Sequence, residues 1–178
     1  MATPVVLDTS VILNLIASGQ AEAILLSLRA TCLVATAAAK EVIYIRADDP
    51  REPAHVVSIE PWIDAKLVVL ASPEGRNEED LYVQFASQLD DGEAMSLGIC
   101  QSRGYILATD DRKARRLASS LKPAAAAVLT TAEILHRWAT LTDVKAELLR
   151  DTMSAVERRA RFLPPQDDPF REWWLSTR

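Results

Sequence analysis

Seven acidic residues sit beside short apolar runs or at predicted helix starts. Asp8 directly follows PVVL (4–7), and Asp110 and Asp111 follow YILAT (105–109). Asp90, Asp91 and Glu93 open the segment DDGEAMSLGICQSRG (90–104), and Glu41 lies shortly after CLVAT (32–36). Carboxylates brought together without matching Lys or Arg repel one another, and their pKa values rise. A hard divalent cation removes that penalty. Mg2+ prefers oxygen ligands, keeps several waters and commonly takes only one or two direct carboxylates. Such an ion activates water and stabilises charge on a phosphoryl group. Other site chemistries find fewer residues. With two His (His55, His136) and two Cys (Cys32, Cys100), the chain has no HExxH and no four-thiolate zinc site, and little room for a Ser-His-Asp triad.

The elements that must position these acids follow from the pattern of apolar residues. PVVL, CLVAT, KLVVLA (66–71), YILAT and AAAVLT (125–130) read as short strands. Continuous β-branched runs of this kind are expected where both faces of a parallel sheet are covered. Between them lie segments with helical spacing. Val11, Leu13, Leu15 and Ile16 follow Thr9 and Ser10 as caps, and Ile24, Leu25 and Leu28 share a face of 21–29. AAAKEVIYIRA (37–47) reads as a helix carrying Glu41; 78–89, 90–104, DDRKARRLASSL (110–121) and TAEILHRWATL (131–141) read as further helices. The stretch 48–61, with Pro50, Pro53 and Pro61, reads as irregular. Strands alternating with helices predict a three-layer α/β/α domain around a parallel sheet of four to five strands. In such a sheet, ligands bind outside the carboxyl ends of the strands, where Asp8, Asp110 and Asp111 fall.

At 178 residues, 49% hydrophobic and 25% charged, the chain has material for one ordinary core. Residues 1–140 are expected to form the α/β domain, and 141–178 an appended helix and tail ending in Phe170, Trp173 and Trp174, packed on the same chain or a dimer mate. The formal charge of −5 excludes a binder that works by bulk positive charge, though not a local basic face. Cys32 and Cys100 lie among apolar residues and read as buried free thiols. The amino terminus lacks the pattern of a signal peptide, and no run approaches the ~18 apolar residues of a membrane span. A cytoplasmic protein without membrane contact is expected.

Structural readings compete at each acid. Asp90 with Glu93 is a capping box, and Thr109 or Asp110 would cap the next helix. Glu41 beside Lys40 alone would be a solvated residue. Asp8 is harder to dismiss, because an acid directly after a buried strand needs a partner.

Together these segments resemble the PIN-domain family, and within it the VapC-like ribonucleases. VVLDTSVILNL is similar to the family's opening strand, first acid and following hydroxyl, and AAAKEVIYI to the segment carrying its second acid. LDDGEAMSLGIC resembles the third acidic motif and YILATDDRKARRLA the fourth, so the resemblance covers about residues 4–135. It implies a Mg2+- or Mn2+-dependent endoribonuclease that cleaves RNA by attack of a metal-activated water, often a toxin held by an antitoxin protein and usually a homodimer. Carried over, the catalytic acids are Asp8, Glu41, Glu93 and Asp110, with Asp8, Glu93, Asp110 and Asp111 toward metal. Ser10, Asp91 and Thr109 would orient acids or waters around them. Glu93 stands where the family often has Asp, one methylene longer. Arg112, Lys113, Arg115 and Arg116 would hold the RNA backbone, against the alternative of a solvated helix face. Arg158, Arg159 and Arg161 are open between RNA, a partner and solubility.

Two other functions stand beside this one. An aspartate-based phosphatase would carry a second acid two residues after the first, where this chain has Ser10. A catalytically idle PIN module acting as an interaction protein lacks positive support, since all four acids are present.

Overall fold

Short buried runs set the frame. The computed structural model describes residues 2–41, 43–49, 51–121 and 127–178. Strands β1 (Val5–Leu7), β2 (Cys32–Ala35), β5 (Val68–Ala71), β6 (Ile106–Ala108) and β7 (Val128–Leu129) form one sheet in the order β5-β2-β1-β6-β7. Every pairing in it is parallel, with Val5 beside both Cys32 and Ile106 and Leu7 beside both Val34 and Ala108. All of β1 and β2 is buried, as their uninterrupted apolar sequences require. The expected α/β class and parallel sheet are present, with five strands. Ala125 and Ala126 of the expected last strand lie outside the described residues.

The chain winds from β1 outward through β2 to β5, then returns to the other side of β1 for β6 and β7. The direction of winding reverses between β1 and β6. Their carboxyl ends therefore flank the crevice where open α/β sheets place ligands. Asp8 continues the ladder there, its N–H donating to Ala108 O at 2.9 Å, and Thr109 N donates to Leu129 O at 3.0 Å.

The described residues group into two compact units, neither of them a continuous stretch. One comprises the segments up to Val11, from Ala30 to Glu41 and from Ile59 to Leu129. It holds the sheet, α3 (Glu60–Asp64), α4 (Gly75–Ala86), α5 (Asp91–Arg103) and α6 (Arg112–Ser120). α5 packs on β1, β2 and β6 and along α4. Cys32 and Cys100 are buried free thiols, as expected. Between α4 and α5, Arg103 forks onto Glu78, its Nε and Nη2 donating at 2.8 and 2.7 Å, and holds that carboxyl below its usual range.

The other unit comprises Ile12–Arg29, the residues from Ile43 to Ser58 and those from Thr130 onward. It holds most of α1 (Thr9–Ser18), then α2 (Ala21–Ser27), α7 (Thr131–Leu141), α8 (Ala146–Ala155) and α9 (Arg171–Thr177). It also contains the antiparallel pair β3 (Ile43–Ile45) and β4 (His55–Val57).

Residues 37–47 differ from expectation. The predicted helix is a single 3-10 turn, Ala38–Lys40, after which the chain extends into β3. Alanines favour a helix locally, but Ile43, Tyr44 and Ile45 pair with Val57, Val56 and His55. The distant partner overrides local preference. Part of the stretch read as irregular, 48–61, is correspondingly a strand. The hairpin is tied to the end of the chain by Arg46 N donating to Arg159 O at 2.9 Å and by Arg158 and Arg159 on Asp48. Those two arginines therefore serve an internal ion pair.

The tail packs on its own unit. Trp174 is 0% exposed, donates from Nε1 to Glu157 Oε1 at 2.7 Å and meets Phe162 edge-on. Phe170 meets His136 tilted and Trp173 meets it edge-on. Trp174→Phe keeps an aromatic ring but removes the indole donor and leaves a void. It is expected to cost about 1–3 kcal/mol, read as a lower urea midpoint at unchanged m. An unaltered midpoint would show that the tail carries no stability. No single described helix is long and apolar enough to cross a membrane.

Candidate active site

Asp8 is 2% exposed and sits where β1 ends. A carboxylate there must be held by donors. Ser10 Oγ and Thr109 Oγ1 both donate to its Oδ2, each at 2.9 Å. Ser10 Oγ then accepts from Asp110 N of the neighbouring strand end at 3.2 Å, and Thr109 Oγ1 from Asp111 N in its own loop at 3.1 Å. Two hydroxyl bridges thus lock the loop after β6 onto the acid after β1. The hydroxyls pull the Asp8 pKa down, but burial dominates and raises it, with the charge of Asp90 adding to the rise.

Glu93 and Glu41 face the same charge. Burial first, then Asp90, Asp111 and Asp8, push Glu93 up to about 7. Glu41 is raised by burial and by Asp90, Asp8 and Asp91. Mutual coupling places Asp8, Glu41, Asp90, Asp91, Glu93 and Asp111 in one electrostatic cluster. Asp110 is held next to Asp8 by its backbone N–H, which donates to Ser10 Oγ. Asp90, which the motif comparison passed over, is the one charge that raises Asp8, Glu41 and Glu93 alike. Its place before Asp91 and Glu93 was the available signal.

Helix caps place several of these groups. Asp90 Oδ1 accepts from Glu93 N at 2.8 Å and starts α5, the capping role read from the sequence. At α6 the cap is Asp111, not Thr109 or Asp110; its Oδ1 accepts from Lys113 N at 2.7 Å and Ala114 N at 2.8 Å. Thr109 continues the sheet ladder and gives its proton to Asp8, so it is not available as a cap. Of the basic residues on α6, Arg112, Lys113 and Arg116 are exposed and Arg115 is half-buried. Lys113 Nζ donates to Gln88 O, just before Asp90, and Arg116 Nε donates to Arg112 O at 3.1 Å.

Glu41 reaches the cluster because Gly92 has no side chain. A Cβ at Gly92 would overlap Glu41 Oε1 and stand 3.2 Å from Ala38 Cα. Gly92→Ala is therefore expected to displace the Glu41 carboxylate. If that carboxylate serves the reaction, the rate falls on the order of 10–100-fold, while thermal stability changes by less than about 1 kcal/mol. Unchanged turnover would remove Glu41 from the active set.

The donor set suits a hard cation. It is rich in oxygen, and Asp8, Glu41 and Glu93 have pKa values raised first by burial and then by neighbouring acids, a penalty that a bound cation would offset. The Thr9 Oγ1 beside it is buried without a regular hydrogen bond, yet near enough to lower the pKa of Glu41. Among the described residues, no group of three or more His, Cys, Asp or Glu side chains is placed to hold a metal ion. An ion that keeps several waters does not require one.

The chain matches the profile of the DUF3368 family, described as a PIN domain, over residues 4–165. No curated protein and no solved structure matches it significantly.

Proposed function

Because the chain belongs to the PIN-domain family, whose profile covers residues 4–165, and that family implies nuclease-type function, we propose that it is a Mg2+- or Mn2+-dependent endoribonuclease. The observation that carries this reading is the buried Asp8, clamped by Ser10 and Thr109 at the β1–β6 crevice, with Asp90, Asp111 and Glu93 close enough to interact. One or two of Asp8, Glu93 and Asp110 would bind the divalent ion directly and the rest through its waters, with Asp111 beside them and Glu41 and Asp91 at the margin. The ion would supply Lewis acidity at the scissile phosphate and neutralise the cluster. Ser10 and Thr109 keep the Asp8 carboxylate in one orientation. Burial, then Asp90, Asp111 and Asp8, disfavour the charge on Glu93, and a bound cation would offset that. The exposed Arg112, Lys113 and Arg116 at the start of α6 give the RNA backbone a cationic rim that adds affinity without reading sequence.

The test is cleavage of single-stranded RNA by the full chain with Mg2+ or Mn2+, against EDTA. Metal-dependent cleavage supports the reading; absence of both cleavage and calorimetric metal binding overturns it and leaves an interaction module. The likeness to VapC-like ribonucleases extends the proposal to a cytoplasmic toxin with an antitoxin partner, acting as a homodimer. Growth arrest on expression of the active chain, relieved by a co-purifying protein, would support that extension.

A further inference from the structure

One pocket adjoins the acidic cluster and is not used by it. Thr36, Ala37, Lys40, Glu41, Tyr82, Asp91 and Met95 line a cavity of about 330 Å3. Its size lies at the lower end of the range for small-molecule sites, about 300–1,000 Å3. Glu41 and Asp91 are shared with the cluster, so the cavity opens directly beside the proposed reaction centre.

Its construction is specific. Asp91, Met95 and Gly98 recur at helical spacing on one face of α5. A Cβ at Gly98 would lie 3.3 Å from Tyr82 N and 3.5 Å from Tyr82 Cα. The missing side chain lets α4 approach there and sets Tyr82 over the Met95–Asp91 face. Thr36 Oγ1 donates to Met95 Sδ at 3.5 Å and lies 3.1 Å from Ser72 Oγ, which ties the end of β2 to the Met95 side chain. Lys40 is exposed at the end of the 3-10 turn. The result is an aromatic ring and a thioether for a flat apolar surface, a cation for a phosphate, and carboxylates leading to the reaction centre.

We propose that this pocket receives the unstacked base of the nucleotide next to the scissile phosphodiester, with Tyr82 and Met95 against the base and Lys40 on the adjoining phosphate. The proposal rests on the ribonuclease reading and names its substrate class as single-stranded RNA, because a paired base cannot enter a side pocket. Base–aromatic stacking tolerates any sequence, so Tyr82 sets strand state and register rather than base identity.

The experiment walks a single abasic position along a short labelled RNA and measures both anisotropy and cleavage with the full chain. Tyr82→Leu and Tyr82→Phe are measured in parallel, the substrate series standing even if a variant is unstable. One abasic position is expected to weaken binding about tenfold in the wild type and in Tyr82→Phe, and to make no further difference in Tyr82→Leu. That position should adjoin the cleaved bond. Equal binding across the series, or a sensitive position indifferent to Tyr82→Leu, overturns the pocket and leaves the nuclease reading intact if cleavage persists. A Tyr82-dependent position without cleavage supports the pocket and overturns the nuclease. No RNA binding at all overturns both.

Discussion

Asp8→Asn is expected to abolish metal-dependent RNA cleavage, lowering the rate on the order of 10^3-fold, while the metal-free protein becomes more stable. The two effects have one cause. Asp8 is 2% exposed and its pKa is raised chiefly by burial, so its surroundings disfavour the ionised carboxylate. Asparagine has nearly the same shape. Its amide oxygen still accepts from Ser10 and Thr109, so the bridges to Asp110 N and Asp111 N survive. The variant is expected to gain about 1–2 kcal/mol in metal-free buffer. It should also lose the rise in Tm that Mg2+ or Mn2+ gives the wild type, since a ligand stabilises only the state that binds it. Melts in EDTA and in either metal, beside a cleavage assay, check all three outcomes. Stability and activity falling together would make Asp8 a structural residue.

The same residues show how far the sequence carried. An acid directly after a buried apolar strand is legible, because no other reading accounts for its charge, and Asp8 and Asp110 could be placed at strand ends on that ground. Ser10 and Thr109 were legible by adjacency to those acids. The alternative of Thr109 or Asp110 as a cap could not be decided from sequence, because a cap is defined by backbone angles and the partner of its side chain. In the fold Thr109 is committed to the sheet and to Asp8, which passes the cap to Asp111. Residues 37–47 were misread. Their alanines speak for a helix, while the pairing of Tyr44 with Val56 depends on residues a dozen positions away. The pocket beneath Tyr82 had no local signal. It exists because Gly98 lets two helices approach, a consequence of packing that spacing along one segment does not reveal.

Charge placement also predicts an unusual pH dependence, the second large effect. Glu93 is raised to about 7 from an ordinary value near 4.5, and Asp8 and Glu41 are raised in the same direction. Between the unfolded and folded pKa values of such a carboxyl, the folded state binds more protons, so stability falls as pH rises through that window. For Glu93 the window runs from about pH 4.5 to 7. Glu78 and Asp48 act in the opposite sense: arginine partners lower their pKa values, so their contributions are lost as pH falls below the ordinary carboxylate range. Metal-free protein should therefore be most stable near pH 4.5–5 and lose on the order of 1–2 kcal/mol by pH 7.5, the shift at half-buried Glu93 being discounted for solvent screening. A bound divalent cation favours the ionised carboxylates and reverses that slope, so the gain in Tm on adding Mg2+ should be small at pH 5 and grow toward pH 8. Urea titrations across this range, with EDTA or Mg2+, decide the matter. A metal-free stability that rises steadily from pH 5 to 8 would show that burial does not disfavour the charge on Glu93, Asp8 and Glu41.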